Sequence, residues 1–308
     1  MKKWLIIFLL PSIVVFLQYI YLKQIYEIKS IEKIVERQIE KNSIYGAAFN
    51  SNVFNYKLSL IKKVNPEIIA LGSSTIMTLK QEIFKKSFIN AGGAMNNVDE
   101  GILFVQELEK LQTKPKFVIL NLDFWWFNKV YNQYDNKDFL HHKNTVDKIN
   151  LNTLYNFNKS LFLKKIPLYS LNYIFKNNDM VNRYTSQDSL GLSAITKGSG
   201  YKIDGSYDYG NLLFGDGDAD IKFQNTLNRI ENQNARFQIG EIPDQKEINK
   251  LKYLITSIEN LNLDYVVLIP PISSTVYSRI DRNKNYSYIY KTFEILKDHI
   301  KGNIKIFL

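Results

Sequence analysis

The residues best suited to chemistry are a serine and nearby glycines at the ends of predicted strands. The apolar run Ile68–Leu71 predicts a buried strand and passes directly into Gly72-Ser73-Ser74. A glycine at this point allows a sharp turn that exposes the next side chains at the strand's carboxyl end, where ligands collect in open α/β sheets. Another short strand leads into Asn90-Ala91-Gly92-Gly93. A hydroxyl near glycine amides could supply a nucleophile and oxyanion donors for acyl transfer, although a solvated turn has the same sequence.

These two blocks resemble those of the SGNH, or GDSL-type, hydrolase family. The family's Gly-Asp-Ser block is matched by Gly72-Ser73-Ser74, with a serine replacing the aspartate, as in membrane-anchored, polysaccharide-modifying branches. The Asn-x-Gly block is matched by Asn90-Ala91-Gly92. The resemblance implies that Ser74 is the nucleophile and Gly92 an oxyanion-hole donor. It also implies an acyl esterase or O-acyltransferase that acts on cell-envelope or extracellular polysaccharide.

The third predicted strand departs from the family at its carboxyl end. The family has Gly-x-Asn-Asp there, whereas Leu120-Asn121-Leu122-Asp123 lacks the glycine and shifts the asparagine. Asn121 and Asp123 lie two residues apart, so on a strand both side chains face the same side and either could point into the site. The aromatic tract Phe124–Phe127 that follows fits a sugar-binding wall or core packing.

A serine nucleophile needs a general base, and the sequence does not identify one. The chain has three histidines, His141, His142 and His299. In the family the base comes from Asp-x-x-His after the last strand, whereas this chain ends on that strand at Leu308. Asp138-Phe139-Leu140-His141 spells the same pattern inside a predicted insertion. The open interpretations are a shortened enzyme or one with an unusual base, a non-catalytic glycan-binding or scaffold protein, and a stalked surface protein without acyl chemistry.

Strand–helix alternation on either side of an aperiodic middle predicts the fold. We expect a three-layer, flavodoxin-like α/β domain over residues 46–308, with a mostly parallel five-stranded sheet. Residues 129–243 form a large insertion, which we interpret as a substrate-binding cap. Within it, residues 200–206 are similar to a tract in the polysaccharide-linked SGNH-like proteins. Helices are predicted over residues 75–86 and after the N-caps Asn97 and Asp244.

The N-terminal segment predicts membrane attachment. Residues Trp4–Leu22 are apolar except for Ser12 and Gln18, and as a helix they would extend about 28 Å. We therefore predict a transmembrane anchor over residues 1–22, then a stalk helix over residues 23–45. The bulk of this single-pass membrane protein would lie on the extracytoplasmic side, periplasmic or extracellular.

Composition restricts the partners. The 308 residues carry a net charge of +10, which favours lipid headgroups or acidic glycans, while the scattered basic residues argue against nucleic acid. The absence of cysteine excludes disulfides and thiol chemistry. No cofactor or metal is expected, because the Gly215–Asp220 cluster lacks EF-hand spacing and is interpreted as a turn. The expected partners are the lipid bilayer, an acylated glycan and polysaccharide-assembly proteins.

Overall fold

The structure is a computed structural model and describes residues 2–49, 52–134, 151–166, 188–210, 220–282, 284–300 and 304–306. The chain divides into two compact units. The first comprises residues 1–52, 143–203 and 207–217, and the second comprises residues 53–142, 204–206 and 218–308. Residues 129–243, predicted as one insertion, are therefore shared between the two units.

Helices and strands alternate along most of the described chain. The helices are α1 Lys2–Gln24, α2 Ile31–Lys41, α3 Val53–Val64, α4 Val98–Glu109, α5 Lys129–Tyr134, α6 Leu151–Phe162, α7 Leu192–Lys197, α8 Gln224–Glu231, α9 Gln245–Asn260, α10 Ser274–Arg282 and α11 Ser287–His299. The strands are β1 Ile44–Tyr45, β2 Ile68–Gly72, β3 Phe88–Gly92, β4 Phe117–Asn121, β5 Ser189–Leu190, β6 Gly200–Tyr201, β7 Tyr207–Asp208, β8 Asp264–Ile269 and β9 Ile304–Ile306.

The second unit contains the predicted parallel sheet. Its five strands are ordered β3-β2-β4-β8-β9, and each neighbouring pair is parallel. Helices lie on both sides of this sheet, so the predicted α/β class is confirmed. In the register of β2 and β3, Gly72 pairs with Gly92. The two motif glycines therefore lie side by side at the carboxyl edge of the sheet.

The helix starts predicted from capping residues are confirmed in the second unit. The Asn97 side chain accepts a hydrogen bond from the Glu100 amide at 2.9 Å where α4 begins. The Asp244 side chain likewise accepts from the Lys246 amide at 3.0 Å where α9 begins. Each bond satisfies a first-turn amide that has no partner within its own helix.

The helix predicted over residues 75–86 is wrong. Two short 3-10 turns, Ser74–Ile76 and Gln81–Ile83, occupy this segment. The physical reason is the side chain of Asn90, whose amide group donates to the carbonyls of Ile76 and Leu79 at 2.7 and 2.8 Å. These bonds fasten the segment to β3 in its non-helical conformation, in which the Ile76 carbonyl also accepts from the Leu79 amide.

The first unit contains a four-stranded mixed sheet, ordered β5-β1-β6-β7, that the sequence did not predict. β1 is parallel to β5 and antiparallel to β6, which in turn is antiparallel to β7. The segment predicted as a stalk helix contains the end of α1, then α2 and β1. The apolar face of α2 buries Ile31, Ile34 and Val35.

The transmembrane anchor predicted for residues 1–22 is not found. No helix among the described residues is both long enough and apolar enough to cross a bilayer. The final turn of α1 and the residues after it pack in a protein core, which gives part of this segment a partner other than lipid. That core contains Tyr21, Leu22, Ile25, Ile28, Phe157, Ile166, Leu192 and Ile195.

Candidate functional site

Ser74 lies on an exposed turn at the carboxyl end of β2. It is the first residue of the 3-10 turn that follows Gly72 and Ser73, and its side chain faces solvent. Within the described part of the chain, the Ser74 hydroxyl makes no hydrogen bond, whereas its carbonyl accepts from the Met77 amide at 3.3 Å. The hydroxyl is therefore accessible, which a nucleophile requires.

The neighbouring Thr75 hydroxyl joins the ends of β2 and β4. It donates to Asp123 Oδ1 at 2.9 Å and accepts from Asn121 Nδ2 at 2.8 Å. Its oxygen also lies 3.0 Å from Ser73 Oγ, which itself accepts from the Thr75 amide at 3.2 Å. Because these contacts occupy the proton and both lone pairs of Thr75, Ser74 is the better candidate nucleophile.

Asn121 and Asp123, both candidates from the sequence, thus meet at one hydroxyl. Both side chains are buried. Burial raises the pKa of the Asp123 carboxyl to about 6, against the lowering effects of hydrogen bonds and of the positive charge of Arg236. The carboxyl can therefore change its protonation state near neutral pH, as a proton-transferring group must.

Several polar atoms around Asp123 lack partners. Among the described residues, Asn121 Oδ1, Asp123 Oδ2 and Trp126 Nε1 are buried without a hydrogen bond. Leaving such a group unpaired typically costs about 1–3 kcal/mol. Three unpaired atoms within residues 121–126 are difficult to explain by folding alone. Functional sites are one setting in which such a cost is retained.

Gly92, the predicted oxyanion donor, already uses its amide. The Gly92 N–H donates to Asn90 Oδ1 at 2.6 Å. The amides of Gly93 and Met95 both donate to the Gly72 carbonyl, at 2.8 and 3.2 Å. A Cβ at Gly92 would lie 2.7 Å from Asn90 Oδ1 and 3.0 Å from the Met77 nitrogen, so only glycine fits there. An oxyanion could reach the Gly92 amide only by displacing Asn90 Oδ1.

Asn90 is held in turn by a buried lysine and by a short tract distant in sequence. Lys57 of α3 is fully buried, and its ammonium donates to the carbonyl of Asn90 at 2.9 Å and to that of Gly205. The backbone N–H of Asn90 donates to the Asp204 carbonyl at 2.7 Å. Burial lowers the pKa of Lys57 well below its usual value, although the charge of Asp204 opposes the shift.

Asp204 and Gly205 fasten the segment that follows Ser74. Asp204 Oδ2 accepts from the Gln81 amide at 2.9 Å, while its Oδ1 accepts from the amide and hydroxyl of Ser206 at 2.9 and 2.6 Å. Gly205 has φ +76, and a Cβ on it would lie 2.3 Å from the Asn90 carbonyl oxygen. This tract therefore supports β3 and the turn segment, a role that sequence analysis missed.

The sequence does contain a signal for Lys57. On α3 it lies three residues after Phe54 and three before Leu60, which places it on the buried face of the helix. A lysine within an apolar stripe predicts either a snorkelling side chain or a buried charge with polar partners. Thr75 and Arg236 gave no comparable signal, because their roles depend on tertiary contacts.

The aromatic tract after Asp123 is packed inside the protein. Phe124, Trp125, Trp126 and Phe127 are all buried, which favours core packing over a sugar-binding wall. The Phe124 ring lies 5.0 Å from that of Trp125 and 5.8 Å from that of Phe237.

The histidine candidates are not described at this edge. His141 and His142, with the Asp138 pattern, lie outside the described residues, and His299 is the last residue of α11. Of the Gly215–Asp220 cluster only Asp220 is described, and its carboxylate accepts hydrogen bonds from the amides of Asn225 and Thr226 in α8. Among the described residues, no group of side chains could hold a metal ion.

Comparison with known proteins does not identify a family. No family model matches the chain, and searches of the curated proteins and of the solved structures give no match. The resemblance to SGNH hydrolases therefore stays a prediction. It is based on the two motifs, and the third strand departs from the family.

Proposed function

We propose that this protein is an SGNH-like acyl esterase or O-acyltransferase that acts on cell-envelope or extracellular polysaccharide, with Ser74 as nucleophile. The observation that carries the proposal is the exposed hydroxyl of Ser74 at the carboxyl edge of a parallel sheet. Within the described part of the chain, this hydroxyl makes no hydrogen bond. That edge is where α/β proteins bind ligands, and here it also contains Asn121 and Asp123.

In the proposed reaction, the Ser74 oxygen attacks the carbonyl carbon of an acyl ester and its proton passes to a base. The ester C–O bond then breaks and the leaving sugar oxygen takes that proton, after which water or an acceptor hydroxyl releases the acyl group from Ser74. The developing oxyanion needs donors at hydrogen-bond distance. The Gly92 amide can serve only after exchanging Asn90 Oδ1 for the oxyanion, whereas Asn121 Nδ2 carries a second N–H besides the one that it donates to Thr75. Use of the Gly92 amide as an oxyanion donor therefore requires a local rearrangement of this edge on substrate binding.

A non-catalytic, membrane-associated glycan-binding or scaffold protein is the alternative. The filled hydrogen bond of the Gly92 amide favours it, because an oxyanion hole normally offers unoccupied donors. A serine nucleophile that lacks its base loses about 10⁴-fold or more in turnover.

The test is an assay of p-nitrophenyl ester hydrolysis and of acetate release from an acetylated polysaccharide. The variants are Ser74→Ala, His141→Ala, His142→Ala and Asp123→Asn, with Ser257→Ala as control, since Ser257 bonds to Tyr253 of its own helix. Activity lost on Ser74→Ala supports the acyl-transfer proposal. Activity lost also on one histidine change assigns the base. Polysaccharide binding that is retained without any Ser74-dependent turnover supports the alternative.

The extracytoplasmic location stays a prediction from the sequence. It rests on the apolar run Trp4–Leu22 with basic residues on either side. A periplasmic or extracellular reporter fused after Leu308 should be active, whereas a fusion active only in the cytoplasm would contradict the location. Polysaccharide-assembly proteins are the partners that this function would require.

A further inference from the structure

Arg236 presents an unpaired positive charge in the second unit. Its guanidinium lies 4.9 Å from the centre of the Trp125 ring, and the residue is exposed. Within the described part of the chain, no carboxylate lies within ion-pair distance of this guanidinium. A guanidinium stacked on an aromatic ring keeps its in-plane N–H donors directed away from the ring. Those donors are available to a ligand.

This charge lies beside the candidate site. Trp125 belongs to the 3-10 turn that begins directly after Asp123. The positive charge of Arg236 acts on the Asp123 carboxyl and opposes the rise in its pKa that burial causes. Asp123 Oδ2 itself is buried and, among the described residues, has no hydrogen-bond partner. The contact with Trp125 thus places the guanidinium near the carboxyl end of β4.

The backbone holds Arg236 in a conformation that is costly for a side-chain-bearing residue. Its φ is +86, and that of Ala235 before it is +45. The segment is fixed nonetheless. The Arg236 amide donates to Gln238 Oε1 at 3.1 Å, and the carbonyl of the buried Phe237 accepts from the Tyr286 hydroxyl at 2.7 Å. Strain of this kind costs about 1–3 kcal/mol per residue and is concentrated at functional sites.

We propose that Arg236 binds an anionic group, a carboxylate or a phosphate, on the polysaccharide that this protein recognises. Arginine suits such groups because its planar fork donates paired hydrogen bonds to two oxygens. The identity of the ligand as a polysaccharide rests on the proposed function, whereas anion binding by Arg236 does not. The inference therefore narrows the substrate class to acidic glycans.

The experiment is affinity electrophoresis of the full chain through gels containing polygalacturonate, poly(glycerol phosphate) or neutral dextran. The variants are Arg236→Gln and Arg236→Lys, with Arg229→Gln as a matched control on α8 that removes the same charge from another exposed arginine. We expect Arg236→Gln to weaken binding to an acidic polymer about tenfold, with Arg236→Lys intermediate and Arg229→Gln within about twofold of wild type. If Arg236→Gln is retained less than wild type in the polygalacturonate gel, Arg236 recognises a carboxylate. If it is retained less in the poly(glycerol phosphate) gel, Arg236 recognises a phosphate.

Equal retention of the Arg236→Gln and Arg229→Gln variants in both acidic gels would overturn the proposal, because binding would then depend on net charge alone. Arg236→Gly provides a second variant, since glycine accepts the positive φ without strain and should leave the fold intact. The outcomes separate this proposal from the acyl-transfer function. Ser74→Ala tests turnover, and a loss of retention on Arg236→Gln stands whether or not turnover is found.

Discussion

Glu27 in the first unit and Lys57 in the second are fully buried charged side chains that link distant segments, and they differ in which backbone groups they bond to. In the first unit, Glu27 accepts from the amides of Ala48 and Phe49 at 2.8 and 2.7 Å and from that of Leu192 at 2.9 Å. In the second, Lys57 donates to the carbonyls of Asn90 and Gly205. Both side chains thus hydrogen-bond to backbone groups of segments that are distant in sequence.

The two residues differ in which backbone groups lose a hydrogen-bond partner when the charged side chain is removed. Without Glu27, three amides lose their acceptor, and one of them, the Leu192 N–H, is buried and would be left unpaired. Without Lys57, two carbonyls lose one donor, but the Asn90 carbonyl lies in a strand and the cost of burying an ammonium also disappears. We therefore expect the carboxylate to contribute more to stability than the ammonium.

The largest effect is expected for Glu27→Ala. Three backbone amides lose a charged acceptor, so the free energy of unfolding should fall by about 3–5 kcal/mol. Urea denaturation followed by circular dichroism measures it. Glu32→Ala, at an exposed position of α2, is the control and should change stability by less than about 0.5 kcal/mol. A loss below about 1 kcal/mol for Glu27→Ala would remove the contrast with Lys57.

Gly205→Ala should have the next largest effect, because the Gly205 carbonyl is one of the two acceptors of Lys57. The new Cβ would meet the Asn90 carbonyl oxygen at 2.3 Å, and φ is +76. We expect a loss of about 3 kcal/mol, with faster amide exchange at Gln81, which bonds to Asp204. Gly198→Ala, at φ +68, controls for backbone strain and should cost about 1 kcal/mol. Equal losses at both positions would show that the contact with Asn90 does not matter.

Asp123 extends the comparison to a buried carboxyl with an unpaired oxygen. Its folded pKa, about 6, lies above the usual 3.8, so the folded protein binds more protons than the unfolded chain between these values. The resulting stabilisation is complete below pH 3.8 and is lost as the pH rises through 6, about 2–3 kcal/mol in all. Asp123→Asn should abolish this dependence in urea titrations at several pH values. The exposed Asp264→Asn is the control, and an unchanged pH profile in Asp123→Asn would contradict the assignment.

The same contrast explains which parts of the fold the sequence predicts. Four of the five strands of the second unit's sheet have five or six residues, apolar at most positions and bounded by glycine or proline, so periodicity and turn residues identify them. The first unit's sheet has strands of two residues, and β1 pairs with β5, whose first paired residue is Ser189 opposite Ile44. No local pattern signals so short a strand or so distant a partner.

The candidate site was predictable to a similar degree. Because parallel strands present their carboxyl ends at one edge, the sequence could place Ser74, Asn121 and Asp123 there. The hydrogen bond between the Gly92 amide and Asn90 depends on a side-chain conformation, and the contact of Arg236 with Trp125 depends on how residues 233–237 fold. Both come from tertiary packing that residue types alone do not specify.

The smallest effect is expected for Lys57→Met. Methionine keeps most of the side-chain volume and removes the buried ammonium, so the lost hydrogen bonds are largely offset and stability should change by only about 1–2 kcal/mol at neutral pH.

Burial lowers the folded pKa of Lys57 below its usual 10.5, so between the lowered pKa and 10.5 the unfolded chain binds more protons than the folded one. Wild-type stability should therefore rise with pH across that window relative to Lys57→Met. Urea titrations from neutral pH to about pH 10 measure this, with the exposed Lys62→Met as control. A difference between wild type and Lys57→Met that stays constant with pH would mean that Lys57 remains protonated in the folded protein. A loss as large as that of Glu27→Ala would show that the two buried charges are equivalent.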